Sequence, residues 1–273
     1  MMSKEEIKKS IYECSDDKDI EKFVSLRLNE LEEKSEIITV GQNYTDTFDG
    51  YISSKVSYKP AEKFSEGECP SLVYDDIDPY VSLIKEIKAN SGYNEITLCT
   101  NIWRVMHEYL PNGTDDFGRF STYKSHVKDG MVSIKEIKDN NIAFCSEKAG
   151  LSHNMFRLLG IECSLICGTR NNEEHAYNIV YPNGYATDPA IIFDSTDHIN
   201  FKNEDGHMYS FGYHKTLTDD EEKKLINGEI IELDMSTTEE EIRKLYGAGL
   251  DEYEMEEMET KYGIGIEHSS RSA

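Results

Sequence analysis

A cysteine, a histidine and an aspartate follow one another along the chain in positions that would suit a single reaction. Cys145 comes directly before a stretch with a helical pattern, His175 opens a stretch typical of a β-strand, and Asp188 closes the next one. A thiol attacks carbonyl groups well only as the thiolate, which a helix N-terminus and a nearby imidazolium stabilise. With a carboxylate to orient the imidazole, these residue types can catalyse acyl transfer through a thioester.

A helix and three strands must position these residues, and the surrounding sequence has the matching patterns. Residues 146–159 carry apolar side chains at helical spacing and are followed by Gly160, a residue type that often ends helices. The next stretches, "IECSLICG" and "HAYNIVY", are typical of strands. Asp188 follows the turn-forming letters "PNG" and precedes a proline, which predicts a shorter third strand.

The turn before Asp188 decides whether its carboxylate can reach His175. A two-residue turn at Asn183–Gly184 would place Asp188 opposite Ile179. At ~3.3 Å per residue this is about 13 Å along the strand from His175, too far for a hydrogen bond. Direct pairing of the two residues requires a turn centred on Tyr181–Pro182, or a bulge that shifts the register. The triad hypothesis therefore predicts one of these two features.

The rest of the chain adds helices on both sides of these elements. Amphipathic patterns predict helices over 3–34, 79–90 and 95–110, and residues 36–58 are typical of strands. After residue 216 we predict capped helices with a short strand between them, followed by an acidic helix. The sequence thus predicts an α+β protein in three regions: an N-terminal helical and mixed region over 1–94, a core over 95–215, and an α-rich acidic extension over 216–273.

Charge excludes two classes of partner. The chain has 53 acidic and 29 basic side chains, for a formal net charge of −24. So acidic a protein repels the phosphates of nucleic acids and the anionic head groups of membranes. We therefore expect neither nucleic acid nor a membrane surface as a partner.

Hydropathy and cysteine spacing indicate the compartment and the cofactor requirement. No window approaches the ~18 apolar residues of a membrane helix, and the first residues lack the apolar core of a signal peptide. We expect a cytoplasmic protein, with export by a route that needs no signal left open, and its six cysteines as thiols. Cys163 and Cys167 would lie about 13 Å apart on a strand, too far to share a metal ion. The sequence therefore predicts no metal and no other cofactor.

The order of these motifs resembles that of a known family, the transglutaminase-like cysteine enzymes of the papain-like superfamily. In that family a Cys is followed by a helix ending in "LGI", a strand ending in Gly, a His that begins a strand, often as "HAW", and an Asp before Pro. The corresponding residues here are Cys145, "LLGIECSLICG", His175 in "HAY" and Asp188 in "DPA". The resemblance covers roughly residues 142–190, under a fifth of the chain.

The resemblance implies a fold and a reaction. The fold would have a papain/transglutaminase-like core, in which the helix carrying the Cys packs on an antiparallel sheet. Cys145 would attack an amide carbonyl of a peptide or protein substrate, His175 would shuttle the proton, and Asp188 would orient His175. The backbone N–H of Cys145 and one further donor would hold the oxyanion, with Asn140 and Asn141 as candidates. The family includes transglutaminases, proteases, peptide amidases and deamidases, and the motif does not choose among them.

Two alternatives stay open from the sequence. An arylamine N-acetyltransferase-like enzyme shares the Cys-His-Asp order, and "CSE" is similar to its Cys-x-Glu start, although an acidic chain offers little for the phosphates of the coenzyme. The second alternative is a catalytically silent domain that uses the same fold for binding. Tyr177 stands where the transglutaminase-like family usually has Trp, and Phe144 stands where it prefers a small residue.

Overall fold

The computed structural model describes residues 2–33, 55–60, 71–73, 76–89, 93, 95–110, 131–135, 145–182, 190–202 and 208–234. Its helices are α1 Lys4–Glu13, α2 Asp17–Glu33, α3 Asp78–Ala89, α4 Glu95–Tyr109, α5 Cys145–Leu158 and α6 Asp219–Ile226. Its strands are β1 Lys55–Pro60, β2 Ser71–Val73, β3 Met131–Ser133, β4 Glu162–Arg170, β5 Glu173–Tyr181, β6 Ile191–Lys202, β7 Met208–Thr216 and β8 Ile231–Asp234. The strands predicted before residue 55 and the helices predicted after residue 234 lie outside these ranges.

A six-stranded antiparallel sheet carries the fold, in the order β7-β6-β5-β4-β1-β8. A separate parallel pair joins β2 and β3. The described part therefore combines helices with a mainly antiparallel sheet, which confirms the α+β prediction at this level. The main sheet takes β1 from the predicted N-terminal region, β4 to β7 from the core, and β8 from the C-terminal extension.

The main apolar core lies where the helices pack on one another and on this sheet. Helices α2, α3, α4 and α5 contact each other, and α5 lies against β4, β5 and β6. Phe156 of α5 and Phe193 of β6 form an edge-to-face pair with ring centroids 5.2 Å apart, which joins helix to sheet. None of the described helices has the length and apolar content that a membrane span requires.

The C-terminal end of α5 is fixed by its own cap and by neighbouring helices. Gly160 has φ +72° and ends the helix in a Schellman motif, in which the Ile161 N–H donates to the Phe156 carbonyl. The guanidinium of Arg27, buried on α2, donates to two carbonyls in the last turn of α5, those of residues 157 and 158. The hydroxyl of Tyr93 donates to the next carbonyl, at residue 159. These contacts hold the helix axis, and with it the position of the first residue of α5.

The strands β4 and β5 form a hairpin with a two-residue turn. Arg170 pairs with Glu173, and the turn residues Asn171 and Asn172 have φ of 52° and 69°. Positive φ at both central positions defines a type I′ turn, for which asparagine is well suited. This register places His175 directly opposite Gly168, near the turn end of the hairpin.

The connection from β5 to β6 differs from the prediction. Ile179 pairs with Ile192, and Val180 pairs with Ile191. Neither a tight turn at Asn183–Gly184 nor one centred on Tyr181–Pro182 gives this register, so both predicted registers are wrong. The described pairs of this strand with β5 involve residues 191–193, and Asp188 lies outside the described residues.

Candidate functional site

Cys145 is the first residue of α5, as the sequence predicted for a nucleophile at a helix start. The first N–H groups of a helix have no intrahelical partner, and the helix dipole is positive at this end, so both favour a thiolate. The side chain is 4 % exposed and packs with Ala149, Leu165 and Ala176 in an apolar cluster separate from the main core. Because so little of the side chain is exposed, a small reagent is the appropriate first probe of its reactivity.

A backbone donor from the sheet also reaches the sulfur. The N–H of Ala176 donates to the Sγ of Cys145 at 3.3 Å. The described pairing of β5 with β6 covers only the three pairs from Asn178 to Val180. Ala176 lies beyond the last of these pairs, so its N–H is available to the sulfur. A fixed N–H donor stabilises a charged acceptor more than a neutral one, and this contact therefore favours the thiolate.

His175 and Asp194 form a buried pair beside Cys145. The Nε2 of His175 lies 2.7 Å from the Oδ2 of Asp194, and the two side chains are 8 % and 0 % exposed. Since the carboxylate occupies Nε2, Nδ1 is the ring nitrogen left for the sulfur of Cys145. The sequence order and the local geometry give a Cys-His-Asp arrangement whose carboxylate is Asp194.

A bulge in β6 accompanies the position of Asp194. Asp194 pairs with Tyr213 of β7, but the next pair along the strand joins His198 to Gly212. Residues 195–197 are therefore extra residues of β6 with no counterpart in β7. Bulges bend the strand and re-aim neighbouring side chains. Asp194 thus follows the last described pair of β6 with β5, at Phe193, and is the last residue of β6 before its regular pairing with β7 is interrupted.

Electrostatics favour a charged histidine at this site. Burial by itself lowers the pKa of His175, but the negative charges of Asp194 and Cys145 and hydrogen bonds to both side chains outweigh burial. Together they raise the pKa of His175 to about 10. The ring is therefore an imidazolium at neutral pH, which is the partner that a thiolate requires.

Two neighbours on β5 fix the geometry further. The ring of Tyr177 lies nearly parallel to the His175 ring, with an interplanar angle of 18° and centroids 6.5 Å apart. The amide of Asn178 donates to the carbonyl of Ala149 at 3.0 Å and so ties the first turns of α5 to the strand. Both side chains are fully buried. The relative positions of the helix start and the histidine are therefore set by packed residues.

Two other thiols in the described residues have a different environment. Cys14 and Cys163 are free, and burial raises the pKa of both thiols. A raised pKa keeps a thiol protonated and unreactive at neutral pH. Cys163 is a packed residue of β4, as the sequence predicted. Within the described ranges, no group of three His, Cys, Asp or Glu side chains is placed to hold a metal ion.

The structure brings together two of the five predicted site residues. Cys145 and His175 meet as expected, while Asp188, Asn140 and Asn141 lie outside the described residues, so their roles stay predictions. The carboxylate found on His175 belongs to Asp194, which sequence reasoning missed. A signal was present: "AIIFDS" places one acidic residue at the end of an apolar strand. The His-to-Asp separation is then 19 residues.

Comparison with known proteins gives no relative for this chain. No family model matches it, and neither the curated proteins nor the solved structures give a significant match.

Proposed function

We propose that the protein is a cysteine-dependent enzyme that acts on amide bonds through a thioester, with a papain/transglutaminase-like core. Cys145 is the nucleophile, His175 is the acid and base, and Asp194 orients His175. The observation that carries the proposal is the buried Cys145–His175–Asp194 arrangement at the start of a helix. The substrate is a peptide or protein amide.

The residues allow a balanced reaction sequence. The Cys145 thiolate attacks the carbonyl carbon, and the oxyanion forms near the N–H groups of the first turn of α5. The imidazolium of His175 gives its proton to the leaving amine as the C–N bond breaks, which leaves a thioester and a neutral imidazole. Water or a second amine then loses a proton to His175 and attacks the thioester. The products are an acid or a new amide, with the thiolate and imidazolium restored.

The surroundings of Cys145 support a role as nucleophile rather than a purely structural role in packing. The sulfur accepts an N–H from Ala176, the imidazole beside it is charged, and Asp194 stabilises that charge. None of these features surrounds Cys163, which is packed among core residues of the sheet. Purely structural packing of Cys145 would not require a buried charged pair next to it, since burying charges is costly.

The first test is alkylation with iodoacetamide as a function of pH, read by mass spectrometry at each cysteine. We expect Cys145 to be labelled selectively below pH 7, with Cys14 as the internal control because its thiol stays protonated. Labelling of Cys145 no faster than that of Cys14, or only after unfolding, would contradict the proposal.

The second test concerns catalysis. A mixture of peptides is incubated with the protein and a primary-amine tracer, and products and a Cys145 acyl adduct are sought by mass spectrometry. We expect Cys145→Ala and Asp194→Asn to lose turnover and Cys14→Ser to keep it. Equal turnover in Cys145→Ala and the unmodified protein would refute the assignment of the nucleophile.

A further inference from the structure

A lysine is buried beside the proposed site and has no role in the reaction described above. Lys148 follows Cys145 by three residues on α5, so it lies on the same side of the helix one turn further on. Its side chain is 0 % exposed. Asp194 is also 0 % exposed, and its charge acts on Lys148. A buried lysine is rare unless an acidic group compensates its charge.

The surroundings of Lys148 act on its charge in opposite directions. Burial lowers the pKa of Lys148, while the charges of Asp194, Cys145 and Glu147 raise it, with a result of about 7. The negative charges of Asp194 and Cys145, both proposed for catalysis, thus stabilise the ammonium group of Lys148. A group with this pKa changes its charge within the physiological range.

The charges that act on Lys148 come from a small set. Helix α5 packs against β4, β5, β6, α2 and α4. Asp194 lies on β6, His175 on β5 binds the same carboxylate, and Cys145 and Glu147 precede Lys148 on α5. Charged side chains elsewhere around α5 are engaged in pairs of their own: Arg27 with Glu30, Arg104 with Glu86, and Arg157 with Glu162.

We propose that Lys148 is a positioning residue for Cys145. Its buried ammonium group compensates the negative charges of Asp194 and of the Cys145 thiolate, so the reactivity of Cys145 depends on the protonation of Lys148. The inference rests on the proposed function, because it concerns the same thiolate. Below about pH 7, Lys148 and His175 are both positively charged, and both interact electrostatically with Asp194 and Cys145. Above that pH only His175 remains charged, and the thiolate loses one of its two counter-charges.

The test compares iodoacetamide rates at Cys145 from pH 5 to 9 in Lys148→Met, Lys148→Arg and a control, Lys224→Met on the exposed side of α6. Lys148→Met keeps the length of the side chain without its charge, and Lys148→Arg keeps the charge at every pH. At pH 6 we expect labelling of Cys145 to be about tenfold slower in Lys148→Met, because the thiolate has lost one of its two counter-charges, and unchanged in Lys148→Arg and the control. Above pH 8 the unmodified protein should approach Lys148→Met.

The outcomes separate the two proposals. If Lys148→Met has the same pH profile as the unmodified protein, while Cys145 in both labels faster than Cys14, Lys148 is only structural and this inference is overturned. The proposed function would survive that result. If Cys145 of the unmodified protein labels no faster than Cys14, both proposals fail.

A reverse measurement keeps the inference testable if Lys148→Met does not fold. The titration of Lys148 is followed by NMR of its side chain in the unmodified protein and in Cys145→Ser. Coupling between two sites is reciprocal, so if the Lys148 ammonium stabilises the thiolate, loss of the thiolate must lower the pKa of Lys148. An unchanged Lys148 titration in Cys145→Ser would overturn the inference.

Discussion

The buried Lys148 and His175 predict an unusual dependence of stability on pH. Folding lowers the pKa of Lys148 from 10.5 to about 7 and raises that of His175 from 6.5 to about 10. Around pH 8 to 9, Lys148 is protonated in the unfolded chain and His175 is not. In the folded protein His175 is protonated and Lys148 is not. Folding therefore moves a proton between the two groups without net uptake from solvent.

The sign of each contribution follows from linkage between protonation and folding. His175 binds its proton more tightly in the folded state, so its stabilisation is complete below about pH 6.5 and is lost as pH rises to about 10. Lys148 binds its proton less tightly in the folded state, so its cost is complete below about pH 7 and disappears as pH rises to about 10.5. At roughly 1.4 kcal/mol per pKa unit, each contribution is about 5 kcal/mol, and the two nearly cancel.

The substitution Lys148→Met removes one of these two contributions. Only the His175 contribution remains in this variant, so we expect its free energy of unfolding to fall by about 5 kcal/mol between pH 6.5 and pH 10. In the unmodified protein the contributions of Lys148 and His175 to the free energy of unfolding nearly cancel, so their sum should change little over this pH range. The assay is urea denaturation at each pH, followed by the fluorescence of Trp103, the single tryptophan, which is buried on α4.

The matched control for Lys148→Met is a variant of an exposed lysine. Lys224→Met removes a lysine that is 44 % exposed and should leave the pH dependence unchanged. If Lys148→Met and the unmodified protein have parallel stability curves between pH 6.5 and pH 10, the two groups do not exchange a proton on folding. The pKa values of Lys148 and His175 would then not shift in opposite directions on folding.

Two further predictions concern individual contacts. Asp194→Asn removes the charge that stabilises the His175 imidazolium, so the pKa of His175 should fall in an NMR titration and turnover should drop about 100-fold or more; an unchanged titration would contradict this. Gly160→Ala should cost more stability than Gly228→Ala in urea denaturation. Both glycines have positive φ, which costs roughly 1 kcal/mol, but only at Gly160 would a Cβ meet a neighbour, 2.6 Å from the Cδ1 of Ile7. Equal losses would show that α1 moves aside freely.

Local patterns were sufficient to predict the elements around the site. The start of α5 at Cys145, its end at Gly160 and the strands on either side of Asn171 are all encoded by short-range signals, namely periodicity, a C-terminal glycine and turn residues. His175 was found for the same reason, because a strand pattern begins close to it. These predictions needed no knowledge of distant contacts.

The carboxylate partner could not be predicted in the same way. Its identity depends on which residues of β6 pair with β5, and that register is set by tertiary packing of Ile191 to Phe193 rather than by the turn letters "PNG". A shift of a few residues moves a different acid into reach of His175. Lys148 was missed because a lysine in an amphipathic helix is normally solvent-exposed, whereas the elements packed around α5 bury this one.

The strand order of the main sheet has a consequence for how the chain is made and cut. β1 lies between β4 and β8, so strands from the first quarter and the last fifth of the chain are neighbours. Contacts so distant in sequence form slowly, and a ribosome must release residues beyond 234 before the last of them can form. Loss of residues 1–94 would leave β4 with an unpaired edge, and loss of the residues after 216 would leave β1 with one. Such edges are prone to aggregation. A search for activity should therefore begin with the full chain.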